Sequence, residues 1–390
     1  MDSASSEYAH LPDELLESIL GSTSSTVSTV KSYANVNLGL IDRSRQILKT
    51  KNLLRKLSDG SQLESIAAVD GGYAVERLPE MDIALVQASG VEGLGQVESP
   101  GWGPNRHQYT SWQAALPHSG SNDVLVRGLM AVMEILTLAH SEHEVCILDG
   151  SHYSFAIALD RLFTISHAGS GVSVSRTVDD FLVANDSSLA ILPSLVRKVM
   201  QNDHIVASTK YSSARALVEG PLREFGFKVD DKSVLMKILK GGEYTEPLRV
   251  VNQDRLRVNY NVDEVNIPKA EFEWLMNEAI AGLKTRDINK LSKQSEIFYM
   301  YYRPVDYGPV YRLEIKESLA QDTDRLQSTL RTIKHQVVFP DIVEPYPQYL
   351  ADLIAKSVSR GMSAVRSAVV LSEDIVDVQQ NISILRGYRT

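Results

Sequence analysis

Two short segments of the chain share one design, in which an apolar run leads into aspartate, glycine and a small residue. They are residues 66–72 (IAAVDGG) and residues 145–151 (VCILDGS). Each pattern predicts a buried strand followed by a tight glycine turn, which holds a carboxylate at the carboxyl end of the strand. On neighbouring strands, Asp70 and Asp149 could share Mg²⁺ or Mn²⁺, because both ions prefer oxygen ligands. Metal-assisted cleavage of phosphodiesters uses that geometry.

Three further polar residues follow in an order that suits such a site. Glu134 lies late in a helix predicted over residues 123–140, and Lys210 comes after a short apolar strand over residues 204–208. Tyr346 stands between two prolines, ahead of the last long predicted helix. Separated carboxylates are what a one- or two-metal phosphodiesterase needs, and a nearby lysine can neutralise charge that develops on the phosphate.

Each of these residues also has a structural interpretation. An Asp-Gly pair at the end of a strand is usually a turn, and Glu134 on an amphipathic helix would by default face solvent. A lone Lys210 is most often a surface residue, and Tyr346 could pack at the entry of a helix. The spacing of the histidines matches no zinc site, and the single Cys146 offers one thiolate.

Composition restricts the class of protein. The chain has 390 residues, of which 43% are hydrophobic and 23% are charged, as in a soluble globular protein of one large or two ordinary domains. The net charge of −9 argues against a protein that coats nucleic acid by charge alone. No apolar run is long enough for a membrane span and no secretory signal is evident, so we expect a cytoplasmic protein without membrane contact.

The alternation of predicted strands and helices indicates an α/β fold with a sheet of mixed direction. Residues 82–91 are predicted to pair with the first Asp-Gly strand as a hairpin, and residues 93–120 to form a long irregular region. Residues 11–20 predict a short amphipathic helix that ends at Gly21. The Ser/Thr-rich residues 22–29 are predicted as a linker or as the capped start of a helix. A linker there would set the helix off as a docking element, and the apolar residues of region 93–120 are the alternative docking element.

The ordered set of motifs resembles the NurA nuclease family. The resemblance is carried by residues 67–72 (AAVDGG), 133–135 (MEI), 147–151 (ILDGS), 207–210 (ASTK) and 346–347 (YP). It implies an RNase H-like mixed sheet flanked by helices, a homodimer, and a Mn²⁺-dependent nuclease for which Mg²⁺ is a second possible ion. The implied activities on DNA are 5′-to-3′ exonuclease and single-strand endonuclease. A HerA-like hexameric ATPase that translocates DNA is the implied partner, in DNA end resection and repair or in antiviral defence.

The resemblance also implies roles for individual residues. Asp70, Glu134 and Asp149 match the metal-binding carboxylates of the family, Lys210 its catalytic lysine, and Tyr346 the aromatic residue of its last motif.

One departure concerns the last helix. Family members often carry a histidine about two turns after the tyrosine, as a metal ligand or a water-positioning group. In this chain residues 350–356 read LADLIAK, without a histidine. Asp352 is the oxygen ligand that could take its place, and the number of bound ions stays open.

The expected domains follow from the same resemblance. Residues 1–60 are predicted as a helical N-terminal extension, residues 61–372 as a NurA-like nuclease domain with RNase H fold, and residues 373–390 as a tail. Within the nuclease domain, helical spacing predicts a helix over residues 267–291 and a long last helix over residues 348–372.

Two other functions remain open from the sequence. Enzymes of the actin and sugar-kinase type share the RNase H-like core, but residues 70–73 (DGGY) lack the hydroxyl and basic residues usual in their first phosphate loop. A non-catalytic subunit could retain the fold to dimerise and to dock to the ATPase, and the missing histidine keeps this alternative open. Retention of all three matched carboxylates favours an enzyme, because a scaffold gains nothing from holding like charges together.

Overall fold

The computed structural model describes residues 12–34, 38–95, 101–102, 107–165, 171–188, 191–210, 212–251 and 294–370. The helix predicted over residues 267–291 and the tail over residues 373–390 lie outside the described residues. None of the helices within the described ranges combines the length and the apolarity needed to cross a lipid bilayer.

Helices and strands are interspersed along the described chain. The helices are α1 (Asp13–Ala34), α2 (Leu38–Thr50), α3 (Asn122–Ala139), α4 (His152–Ile165), α5 (Gly171–Ala184), α6 (Leu192–Gln201), α7 (Ala216–Glu219), α8 (Asp231–Ile238), α9 (Glu317–Gln321), α10 (Thr323–His335), α11 (Tyr346–Lys356) and α12 (Val358–Val370). The strands are β1 (Leu54–Lys56), β2 (Ile66–Arg77), β3 (Asp82–Glu92), β4 (His107–Leu116), β5 (Val145–Asp149), β6 (Ile205–Thr209), β7 (Glu243–Thr245), β8 (Leu248–Val251), β9 (Gln294–Arg303) and β10 (Tyr311–Lys316).

The chain divides into two compact units. The first combines Met1–Leu54 with Ser213–Leu239, and the second combines Arg55–Ser212 with Lys240–Thr390. Among the described residues, the first unit is helical: α1, α2, α7 and α8 belong to it. The second unit carries the sheet.

Helix α1 corrects the prediction of a helix that ends at Gly21. It continues through that glycine and through the Ser/Thr-rich segment as one helix of 22 residues. The hydroxyls of Ser22, Thr23 and Thr26 donate to backbone carbonyls three or four residues earlier, so the polar side chains are satisfied within the helix. A single interior glycine costs about 1 kcal/mol, which does not end a helix of this length.

The sheet has the mixed direction that the sequence predicts. Within the described residues the strand order is β1-β7-β9-β10-β6-β5-β2-β3-β4, and β8 pairs with β9. Strand β3 is antiparallel to both of its neighbours, β2 and β4, whereas β2, β5 and β6 are parallel. These five strands form the RNase H-like core, and the expected fold class is confirmed.

Side chains alternate between the two faces of the sheet, as a pleated strand requires. Ala67 and Val69 of β2 pack on the face covered by α3 and α4. Ile66 and Ala68 pack on the opposite face, which α10 and α11 cover. Asp70 continues the second series, so its side chain lies on the α11 face.

The Asp-Gly pair of β2 is not a turn, and the prediction that this strand ends at Asp70 is wrong. Strand β2 pairs with β3 without interruption as far as Arg77. A Cβ atom on Gly71 would lie 2.5 Å from Glu134 Oε1 of α3, and one on Gly72 would lie 2.1 Å from the carbonyl oxygen of Ala355 in α11. The two glycines therefore admit a helix on each face of the sheet.

The second Asp-Gly pair behaves as predicted. Strand β5 ends at Asp149, and Gly150 has a φ of +118°, a backbone conformation that other residues rarely adopt. The amide of Gly150 donates to the carbonyl of Ser208 at 3.0 Å, which ties the turn to β6. The turn thus fixes the position of Asp149 at the edge of the sheet.

Two other predicted segments differ from the structure. Residues 107–116, which fall within the region 93–120 expected to be irregular, form the edge strand β4, where Trp112 packs against Phe181 of α5. The predicted last helix is two helices that part at Ser357, whose hydroxyl donates to the carbonyl of Ile354 and caps α11. The contact of Trp112 with Phe181 and the cap at Ser357 cannot be predicted from composition.

The close approach of α11 to β2 gives a prediction. Gly72→Ala should lower the free energy of unfolding by about 3 kcal/mol, because its Cβ atom would meet backbone that cannot move alone. Gly120→Ala is the matched control, since a Cβ atom there meets nothing within 4 Å, and we expect a change below about 0.5 kcal/mol. Urea denaturation followed by circular dichroism measures both. Equal stability of the two variants would contradict the packing described.

Candidate metal centre

Three aspartates converge where the parallel pairing of β2 and β5 ends. Asp70 lies on β2 and Asp149 at the end of β5, one position beyond the paired residues Val69 and Leu148. Asp352 comes from α11, which packs on the same face of the sheet. One carboxylate oxygen from each aspartate lies within 4.8 Å of the other two, so the three could hold a metal ion. Partly buried carboxylates are the hard oxygen donors that suit Mg²⁺ or Mn²⁺.

Lys210 follows β6 and lies against two of these aspartates. Its Nζ atom is 2.6 Å from Asp149 Oδ2, 2.6 Å from Asp352 Oδ1 and 3.3 Å from Glu344 Oε1. Burial disfavours the charged ammonium, but its hydrogen bonds to Asp149 and Asp352 outweigh that effect and raise the pKa of Lys210. Lys210 is therefore a fixed positive charge within the cluster.

The environment of Asp70 favours its protonated form. Burial is the main cause, the charge of Asp149 adds to it, and Lys210 opposes both, with the result that the pKa of Asp70 rises to about 8. One of the three aspartates is then uncharged at neutral pH as long as no further cation is bound. This proton relieves the repulsion within the cluster.

Glu134 approaches from the other face of the sheet. Its side chain extends from α3 into the space beneath Gly71. The amide of Gly71 donates to Asp70 Oδ1 at 2.9 Å. Burial, followed by the charges of Asp70 and Asp149, raises the pKa of Glu134 well above its usual range. The charges of the cluster thus influence the pKa of Glu134, but Glu134 does not belong to the close group of Asp70, Asp149 and Asp352.

Tyr346 is the first residue of α11 and is half-buried. Its amide donates to the carbonyl of Gln336 at 2.9 Å, which anchors the start of the helix that carries Asp352. The part that its phenol plays in the site stays a prediction.

Two polar residues, one on α11 and one in the turn before it, were not predicted from the sequence. Gln348 Nε2 donates to Asp149 Oδ1 at 3.1 Å, and Glu344 contacts Lys210. The signal was a polar residue at every fourth position, from Glu344 through Gln348 and Asp352 to Lys356. Residues four apart lie on one face of a helix, so this spacing predicts a polar stripe directed at a single site.

The fold has counterparts among solved structures. The NurA nuclease from Sulfolobus solfataricus matches with a TM-score of 0.55 at 13% identity, over 93% of this chain and 99% of that chain. A structure of NurA bound to dAMP and manganese matches with a TM-score of 0.50 at 15% identity, over 96% of this chain and 100% of the other. No family model matches the chain, and no curated protein matches its sequence. The likeness shows that the chain has the NurA fold, as the sequence motifs predicted.

The raised pKa of Asp70 gives a prediction about stability without divalent ions. The unfolded chain releases this proton near pH 3.8 and the folded protein near pH 8. Between these values the unfolded state gains free energy by ionising, so this carboxyl group lowers stability as pH rises. Asp70→Asn should therefore raise the free energy of unfolding by about 2 kcal/mol at pH 7.5 and by little at pH 4.5.

Urea denaturation in EDTA at several pH values checks this expectation. Asp59→Asn, at an exposed position, is the matched control and should change stability by less than about 0.5 kcal/mol at every pH. A loss of stability in Asp70→Asn at pH 7.5 would show that the ionised Asp70 is favourable in the folded protein.

Proposed function

We propose that this protein is a metal-dependent DNA nuclease of the NurA type, with 5′-to-3′ exonuclease and single-strand endonuclease activity. The observation that carries the proposal is the group of Asp70, Asp149 and Asp352, whose oxygens lie within 4.8 Å of one another. The fold lends support, because similar structures are those of NurA nucleases, one of them bound to dAMP and manganese.

Asp70, Asp149 and Asp352 would hold the ion, which is Mn²⁺ with Mg²⁺ as a second possibility. When bound, a divalent ion at such a site polarises the phosphodiester and activates water. We assign Asp352 to the place of the histidine that family members carry. Glu134 stays a proposed ligand, because a cation beside it would lower its pKa and favour its ionised form.

Lys210 and Tyr346 would act on the DNA. Lys210 carries a fixed charge at the rim of the cluster, where its ammonium can stabilise the negative charge that develops on a scissile phosphate. Tyr346 is the first residue of α11, the helix that carries Asp352, and its aromatic ring would contact the DNA strand. Neither role needs the lysine to lose its proton, in agreement with its raised pKa.

The alternative of a non-catalytic subunit is less well supported by the electrostatics. Asp70 and Glu134 both have raised pKa values because they are buried near other carboxylates. Such an arrangement lowers stability, and a scaffold would be more stable with amides or apolar residues at these positions. Because these buried carboxyl groups lower stability, we infer that they are kept to bind a cation.

The test is cleavage of end-labelled single-stranded DNA by the full chain. We expect cleavage with Mn²⁺ and none with EDTA. Asp149→Asn should lower the rate by about 10³-fold or more, because it removes a ligand of the ion. Lys210→Ala should lower the rate by about 10²-fold at saturating DNA, because one preorganised positive charge is lost.

Two surface variants control for nonspecific effects. Asp59→Asn and Lys334→Ala remove the same kinds of charge at exposed positions, and both should cleave within about twofold of the wild-type rate. Full activity in Asp149→Asn would refute the site, and an inactive wild-type protein with intact fold would favour the non-catalytic alternative.

The proposal includes partners. A protein of net charge −9 is poorly suited to hold DNA unaided, so we propose that a HerA-like hexameric ATPase feeds the strand to a homodimer. Such a cytoplasmic complex would act in DNA end resection and repair or in antiviral defence. Helix α1 is the proposed docking element, because it carries exposed apolar side chains; these are Leu15, Ile19, Leu20, Val27 and Val30.

Two matched double variants of α1 test the docking proposal. Ile19→Lys with Leu20→Lys should weaken binding to the ATPase about tenfold, because the apolar surface is lost. Ser24→Lys with Ser25→Lys adds the same charge on the same helix and should bind normally. Both should cleave single-stranded DNA at the wild-type rate. Sedimentation or pull-down with the purified ATPase measures binding, and equal affinities would exclude these two residues as part of the interface.

A further inference from the structure

The carboxamide of Gln348 is buried, but among the described residues only its nitrogen has a hydrogen-bond partner. The residue is 1% exposed, and its Nε2 atom donates to Asp149 Oδ1. Its Oε1 atom is buried and has no hydrogen-bond partner within the part of the chain that the structure describes. The orientation of the amide follows from chemistry, because the Asp149 carboxylate accepts hydrogen bonds and so faces the nitrogen.

A second buried glutamine, Gln336, shows the fully paired state, whereas Gln108 Oε1 is another buried glutamine oxygen without a partner among the described residues. Gln336 is also 1% exposed. Its Oε1 atom accepts from the amide of Leu94 at 2.7 Å, and its Nε2 atom donates to the carbonyl of the same residue at 3.1 Å. Buried carbonyls are normally paired in this way. Among the described residues, the oxygen of Gln348 thus lacks the donor that the oxygen of Gln336 has, and it is available to a bound ligand.

The position of Gln348 identifies the kind of donor. It lies four residues before Asp352 on α11, so both side chains are directed at the same cluster. Asp149 is held from two sides, by Gln348 at Oδ1 and by Lys210 at Oδ2. A neutral amide can orient this carboxylate without adding a negative charge to the three aspartates.

We propose that Gln348 is a positioning residue for a hydrated divalent cation. Its Nε2 atom sets the direction of the Asp149 carboxylate, and its Oε1 atom accepts a hydrogen bond from the water shell of the ion. The inference rests on the proposed metal site and adds a residue that orients one of its ligands. Partners that orient a metal ligand in this way typically contribute about 10- to 100-fold to metal affinity.

The experiment is calorimetric titration of the full chain with MnCl₂, without DNA. Gln348→Met removes donor and acceptor at similar size, and its dissociation constant for Mn²⁺ should rise about tenfold. In EDTA its unfolding midpoint should fall less than that of Gln336→Met. Gln348→Met loses one hydrogen bond, to Asp149, and removes an unpaired carbonyl, whereas Gln336→Met loses two hydrogen bonds. Gln336→Met is the control: its midpoint should fall, since paired groups are lost, while its affinity for Mn²⁺ stays unchanged.

A further readout separates positioning from a structural role. In the cleavage assay, the Mn²⁺ concentration for half-maximal rate should rise about tenfold in Gln348→Met, with the rate at saturating Mn²⁺ within about twofold of wild type. Gln348→Leu, with the same expectations, serves if the methionine variant does not fold.

The outcomes distinguish this inference from the proposed function. A wild-type chain that binds no Mn²⁺ overturns the metal site itself. A wild-type chain that binds Mn²⁺ while Gln348→Met binds it within twofold overturns the inference and leaves the site intact. A midpoint as low as that of Gln336→Met, with unchanged Mn²⁺ affinity, assigns Gln348 a structural role and also overturns it.

Discussion

Repulsion among the carboxylates where β2 and β5 stop pairing is the constraint on which the site depends. Asp70, Asp149 and Asp352 are brought together by two strands and a helix, and Glu134 lies beneath them. The repulsion is offset in two ways: Lys210 pairs with Asp149 and Asp352, and burial raises the pKa values of Asp70 and Glu134, which favours their protonated forms. Both devices are replaceable by another cation, because ammonium and protons compete with a divalent ion for the same oxygens. The cluster is thus compatible with a stable fold, and its ammonium and protons could be displaced by a divalent cation.

Three consecutive residues of β2 allow this cluster of carboxylates to form. Asp70 directs its carboxylate to the α11 face, Gly71 leaves room for Glu134 from α3, and Gly72 admits the backbone of α11 at Ala355. The pleat of the strand sends them alternately to the two faces. Their spacing is therefore tied to the packing of both helix layers, and a side chain at either glycine would push away the helix that carries a proposed ligand. Fold and site are specified by the same three positions.

The sequence predicted Asp70 and Asp149 as site residues because an apolar run followed by Asp-Gly is a local pattern, typical of a strand that ends in a turn. Asp149 and Gly150 match it, since the turn there needs a positive φ that glycine supplies. The same dipeptide at Asp70 has another cause, which lies in residues 134 and 355 and cannot be read locally. Glu344 and Gln348 were missed for a related reason. Their four-residue spacing with Asp352 was visible, but its significance required the knowledge that α11 faces β5.

Charge compensation sets the order of events under the proposed function. A phosphodiester brings negative charge to an edge that already holds several carboxyl groups, within a chain of net charge −9. In the described structure the ammonium of Lys210 is engaged with Asp149, Asp352 and Glu344. For that ammonium to meet a phosphate, its carboxylate partners must first be compensated by another cation. Under the proposed function, a cation held by these aspartates would free the ammonium of Lys210 to meet the phosphate, so we expect the cation to bind before the DNA strand.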